Sequence, residues 1–155
     1  MKAELVNPFI ESVQEIFTTM LGSQARRGKV GFTDGEKSPG DLVALIGISG
    51  RATGNVALSL PSQTALAIVG KLMSETYDSI NDEVIDGVAE MVNMLAGGAK
   101  AKMNVEGETP MDLSLSTVIS GDSYKVKYPT KTIWLGVPFE SELGPFVLRI
   151  AFEDE

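Results

Sequence analysis

Asp86, Glu90 and Asn93 stand four and three residues apart, and Gly97 follows four residues on. At about 100° per residue on an α-helix, these four positions share one narrow strip. Two carboxylates and a primary amide in a row can hold a cationic group, accept from a water molecule and orient it. The chain has few other chemical tools, because it contains neither cysteine nor histidine. Zinc sites built on those ligands and His-based proton relays are excluded. Chemistry is left to carboxylate, amide, hydroxyl, Lys and Arg.

The element that would carry the strip is a long helix predicted from about Asp82 to about Met103, with Asn81 as its cap. Val84, Val88, Met91, Val92, Leu95 and Ala99 cluster on the opposite side and must face a core. Met94 is expected beside the strip, away from that core. A polar strip is the ordinary reverse side of an amphipathic helix. Two features mark this one. Asp86 and Glu90 are like charges at i, i+4 with no Lys or Arg in register, which costs a few tenths of a kcal/mol. Gly97 and Gly98 lie inside the helix, where each costs about 1 kcal/mol relative to Ala. A cationic partner group would offset the carboxylates, and a closely approaching backbone would require the glycine.

The rest of the chain supplies a scaffold. Asn7-Pro8 reads as N-cap and first residue of a helix carrying Phe9, Ile10, Val13, Ile16, Phe17, Met20 and Leu21, closed by Gly22. Val30 to Phe32 reads as a short strand, and Thr33 to Gly40 as a loop. Leu42 to Ile48 and Asn55 to Leu60 form a predicted hairpin, and Pro61 opens a second helix with Ala65, Leu66, Ile68, Val69 and Leu72. Ser74 to Ser79 is a break. After the long helix, Leu113, Leu115, Thr117 and Ile119 alternate as a strand, and a short strand is expected near Tyr124 to Lys127. Two more strands, around Ile133 to Val137 and Phe146 to Phe152, form a closing hairpin. Sequential hairpins predict an α+β fold, an antiparallel β-sheet with helices packed on it. The order of hairpin and helix hints at a weak internal duplication without a residue-level repeat.

At 155 residues and 43% apolar composition, one domain over 1–155 is expected. The net charge of −8 makes nucleic acid a poor partner. With no apolar run long enough for a bilayer, no signal-peptide pattern and no cysteine, a cytoplasmic protein without a membrane partner is expected. Gly47, Gly50 and Gly54 mimic a phosphate loop but join two strands, so no helix N-terminus stands behind them. Asp34, Glu36 and Ser38 mimic a calcium loop, but Pro39 and Leu45 occupy positions that need Gly and Glu. Lys125 and Lys127 read as a solvated strand face.

The run Asp86-Gly-Val-Ala-Glu90-Met-Val-Asn93-Met-Leu-Ala-Gly97 resembles the signature of the CheX/CheC group of chemotaxis phosphatases: Asp or Ser, three residues, Glu, two residues, Asn. The start, Asn7-Pro8-Phe9-Ile10 to Phe17-Thr18-Thr19-Met20-Leu21, resembles the group's first helix, and Leu115 to Gly121 the strand after the signature. There are departures. Ser116 stands where the group has proline, and Gly98 where it has asparagine. Glu11 and Gln14 have the spacing of a second signature but lack its asparagine, so one site is expected.

The resemblance implies a CheC-like fold and a phosphatase acting on the aspartyl phosphate of a CheY-like receiver. It implies that Glu90 and Asn93 are the catalytic pair, Asn93 orienting water and Glu90 pairing with the receiver's lysine. Asp86, Met94 and Gly97 would contact the partner. No cofactor of its own is implied, Mg²⁺ being supplied by the receiver, and a homodimer joined edge to edge through the sheets is expected. Two other readings of the same strip stand beside it: a receiver-binding module without hydrolysis, and an oligomer contact.

Overall fold

The computed structural model describes residues 3–33, 41–50, 53–104, 107, 110–120 and 134–152. In chain order these form α1 (Ala3–Met20), β1 (Arg26–Arg27), β2 (Gly31–Thr33), β3 (Leu42–Gly50), β4 (Gly54–Leu60), α2 (Ser62–Met73), α3 (Asp82–Met103), β5 (Met111–Leu113), β6 (Thr117–Ser120), β7 (Trp134–Glu140) and β8 (Phe146–Phe152). The expected strand near Tyr124 and most of the loop at 33–40 lie outside the described residues. All described strand pairs are antiparallel, in one sheet of order β1-β7-β8-β4-β3-β5, with β2 also on β7 and β6 also on β3. The α+β expectation holds.

The duplication is real, but its unit begins with a helix. Helix, split edge strand and hairpin occur as α1–β1–β2–β3–β4 and again as α3–β5–β6–β7–β8, with α2 between. The two hairpins meet at the sheet centre, where β4 pairs β8 and Ala57 lies opposite Arg149. Each half sends its edge strand to the other half's hairpin: β1 and β2 to β7, β5 and β6 to β3. Both edges break in the same way. Residues 28–30 stand opposite Val137 and Pro138, and residues 114–116 opposite Ile46 and Gly47, so each edge carries one extra residue, a β-bulge. Gly28 N–H donates to Pro138 O (2.7 Å) and, at the matching place, Ser114 N–H to Gly47 O (3.0 Å). Proline has no N–H to return, whereas Gly47 has one and gives it to Ser114 Oγ (2.7 Å). The alternation from Leu113 to Ile119 therefore does not run through as one strand, and Leu115, at the bulge, is 93% exposed.

α1 starts earlier than Asn7-Pro8 predicts, and Pro8 lies inside it. Proline there removes one hydrogen bond to the fourth residue before it. The added turn buries Val6 and packs Leu5 on the core, which offsets that loss. Met20, expected on the apolar face, is 52% exposed. Phe17 stacks on Phe146 (5.1 Å between ring centroids), and Phe146 on Phe139 (5.0 Å), tying α1 to β7 and β8. The helices share this face of the sheet. Val43, Ala57, Trp134 and Ala151 lie buried in a second cluster, on strand positions of opposite parity from the main core.

α2 has Pro61 at its N-cap, and proline has no side-chain acceptor to offer. Asp41, just ahead of β3, supplies the cap. Its carboxylate accepts from Ser62 N–H and Ser62 Oγ, both at 2.8 Å. Those two bonds, the backbone one first, hold its pKa below the ordinary aspartate value.

α3 forms as the periodicity predicts. Asn81 caps it, Oδ1 accepting from Val84 N–H at 3.0 Å, and Asp82 and Glu83 occupy its first turn, where the helix dipole favours negative charge. Tyr77 donates its hydroxyl to Glu83 at 2.8 Å and so ties the preceding connection to that turn. Two of α3's glycines have packing causes. A Cβ at Gly87 would meet Val69 Cγ1 of α2 at 2.7 Å. A Cβ at Gly98 would collide with Ser12 Oγ of α1, and that buried hydroxyl donates to Leu95 O at 2.7 Å.

Two outcomes follow. Asp41→Ala should cost about 1 kcal/mol at neutral pH. Because the folded-state pKa is lowered, this contribution is present above the unfolded value of about 3.9 and lost as pH falls through the folded value. Urea titrations should show the gap to wild type closing below about pH 4; a gap of constant size would rule out the charged cap. Gly98→Ala should destabilise by about 1–2 kcal/mol despite alanine's higher helix propensity, since turning Ser12 away leaves a buried hydroxyl unpaired. Ser12→Ala with Gly98→Ala should recover most of that loss in the same titration, and a simple sum of the two single effects would refute the contact.

Candidate functional site

Helix α3 is fixed in rotation by what it buries. Val84, Val88, Met91, Val92, Leu95, Ala96 and Ala99 are each fully buried, and the helix packs on β3, β4, β5 and β6. α2 lies against it at Gly87 and α1 at Gly98. With that face committed inward, Asp86, Glu90 and Asn93 emerge exposed on the other side. Four residues span about 6 Å of helix rise, so the four strip positions cover about 16 Å.

Among the described residues, the side chains of Asp86, Glu90 and Asn93 have no hydrogen-bond or ion-pair partner. The two carboxylates are left as the sequence implies, with no cation in register. Asn93 presents a free carbonyl oxygen and a free NH₂. Gly97 is half-buried, yet a Cβ built there would meet nothing within 4 Å. Gly97 and Gly98 therefore separate: Gly98 is required by α1, whereas Gly97 has no packing cause. Met94 is also half-buried and packs against the edge of the main core, so it is less free of the core than the helical wheel suggests.

Glu11 on α1 is placed differently from Glu90. Lys102 of α3 pairs with Glu15 at 2.5 Å and lies 4.0 Å from Glu11. The bond to Glu15 raises the lysine's pKa. Gln14 is half-buried. The Glu11-x-x-Gln14 spacing thus sits beside a cation that Glu90-x-x-Asn93 lacks among the described residues, and of the two helices α3 is the one whose carboxylate and amide are both unpaired.

Sequence reasoning missed Ser12. Its signal was present: a serine three residues after Phe9 and four before Ile16 lies on the apolar face, where a lone hydroxyl needs a partner. Its partner is the Leu95 carbonyl, two residues beyond Asn93. The same contact accounts for Gly98, since no side chain fits there while Ser12 keeps its bond. Ser116, in the place of an expected proline, directly precedes β6, and Pro110 directly precedes β5. The strand starts form without the expected proline. Among the described residues no group of three or more Asp or Glu side chains is gathered to hold a metal ion. No described helix is long and apolar enough to cross a membrane.

Comparison with known proteins identifies the family and the fold. Residues 42–140 match the family model described as chemotaxis phosphatase CheX. The CheY-P phosphatase CheX of Thermotoga maritima is 33% identical over 128 residues, covering 82% of each chain. A CheC-like superfamily protein from Shewanella sp. PV-4 superposes with a TM-score of 0.88 at 29% identity, over 99% of this chain and 100% of that one. The CheX–CheY–BeF3–Mg²⁺ complex from Borrelia burgdorferi contains the same fold, with a TM-score of 0.82 at 23% identity over 99% of this chain and 100% of the matched one. By sequence and fold together, the chain belongs to the CheX family of chemotaxis phosphatases.

Proposed function

We propose that this protein accelerates hydrolysis of the aspartyl phosphate on a CheY-like receiver, using α3 as the element inserted into the receiver's phosphorylated pocket. The observation that carries the reading is the exposed, unpaired Glu90 and Asn93 on one face of a helix whose other face is locked to the sheet. The T. maritima relative is named a CheY-P phosphatase, and the B. burgdorferi relative is seen with CheY.

Hydrolysis of an aspartyl phosphate breaks its P–O bond. Water oxygen attacks phosphorus, the aspartate carboxylate leaves, and inorganic phosphate and a proton are released. Transfer of a phosphoryl group through a loose transition state asks little base strength of the catalyst and much positioning. A carboxamide meets that demand. The Asn93 oxygen accepts from the attacking water and aligns it opposite the leaving oxygen, while its NH₂ donates to a neighbouring acceptor. The absence of histidine is then no handicap. Glu90 pairs with the receiver's active-site lysine and fixes the helix in register. Asp86, one turn further toward the N-terminus, meets the receiver's rim, and Met94 adds apolar contact from its exposed part. Mg²⁺ belongs to the receiver in this reading and neutralises charge on the phosphoryl oxygens.

Asn93→Ala should leave receiver binding nearly intact and reduce accelerated dephosphorylation by about 100-fold or more. Its exposure implies no large loss of stability. Glu90→Ala should weaken both binding and turnover. The lifetime of the receiver phosphate, followed with and without each variant beside a binding titration, measures both. Full activity in Asn93→Ala would overturn the water-orienting role. Binding by the wild-type protein without any shortening of the lifetime would leave a binding module in place of an enzyme.

A further inference from the structure

Three glycines lie in the body of α3, and each costs about 1 kcal/mol of helix stability relative to alanine. Gly87 answers to Val69 and Gly98 to Ser12. Gly97 answers to nothing among the described residues. Its backbone is helical without a positive φ, and among the described residues a methyl group there would meet no atom within 4 Å beyond the backbone of its own helix. Neither conformation nor internal packing asks for glycine at this place. It stands one turn, about 6 Å, beyond Asn93 on the same strip.

The length of the Asn93 side chain supplies the reason. Asparagine carries its amide on a single methylene and reaches only a short way from the helix axis. For that amide to hold a water at a phosphorus atom in another protein, the partner surface must lie almost on the helix backbone. That surface then extends over the neighbouring turn. A methyl group at position 97 would hold it off by about the length of a C–C bond, about 1.5 Å. A misplacement of about 1 Å is enough to cost on the order of 100-fold in rate.

We infer that Gly97 is a positioning residue: its missing side chain is the space into which a backbone segment of the phosphorylated receiver, flanking its phosphoaspartate, seats while Asn93 engages the water. The inference rests on the phosphatase reading above and adds how depth of insertion is set. It makes stability and function oppose each other at one position.

The test compares wild type, Gly97→Ala and Gly97→Leu by thermal melting and by loss of label from the organism's own phosphorylated CheY-type receivers. Gly97→Ala should melt about 2–4 °C higher than wild type. Its kcat/KM toward the phosphorylated receiver should fall about tenfold, and that of Gly97→Leu about 100-fold, with KM rising before kcat falls. Melting shows whether Gly97→Leu is folded, and the alanine variant reports the same effect at smaller amplitude if it is not. A folded leucine variant with wild-type kcat/KM, or an alanine variant that melts lower than wild type, overturns the inference and leaves the phosphatase reading standing. A wild-type protein that shortens no receiver's phosphate lifetime overturns both.

Discussion

The burial of one side of α3 governs this molecule. Val84, Val88, Met91, Val92, Leu95 and Ala99 present a continuous apolar face to the sheet. Fully burying a valine, leucine or methionine side chain contributes about 1.5–3 kcal/mol. Turning the helix by even one residue position would bring several of them into water, a cost no exposed polar group repays. The rotation of α3 is therefore set by hydrophobic burial, and the direction of Glu90 and Asn93 follows from it. The site needs no dedicated support beyond a correctly seated helix. Ser12 and Val69 refine the seating from α1 and α2 by filling the spaces that Gly98 and Gly87 leave.

The two-fold repeat explains why such a helix occurs twice in one chain. Each half folds as helix, bulged edge strand and hairpin, and each lends its edge strand to the other half. The bulges keep both edges short and twisted, which limits continuous pairing along them. α1 and α3 occupy corresponding places in the two halves, and electrostatics separates them. Glu11 and Glu15 share Lys102, whereas Asp86 and Glu90 keep their charge unpaired. An ion pair at an exposed site adds little to stability, but it does occupy a carboxylate that a partner's lysine would otherwise meet.

A phosphatase without histidine or cysteine is chemically coherent when its substrate is another protein's aspartyl phosphate. The leaving group is a good one, and the phosphoryl charge is handled in the receiver's own pocket. What the second protein must contribute is order: a water in line and two surfaces in register. In the proposed reading, amide and carboxylate side chains on a rigid helix would provide that order at small entropic cost, because helix positions are more exact than loop positions.

The sequence alone determined the parts that depend on local periodicity. The α3 boundaries, its cap at Asn81, its buried face and the outward line of Asp86, Glu90 and Asn93 were all legible, because helical spacing and capping are short-range. The hairpins and the α+β class were legible for the same reason. Pairing between distant segments was not. That Gly98 serves Ser12 while Gly97 meets no described residue depends on which residues approach across 83 or more positions of sequence. The extension of α1 through Pro8, the bulge that exposes Leu115, the cap that Asp41 lends to α2 and the pairing of Lys102 with Glu15 beside Glu11 are likewise contacts between elements. Local pattern fixes which face of an element is apolar; only packing decides which neighbour covers it and which polar group is left over.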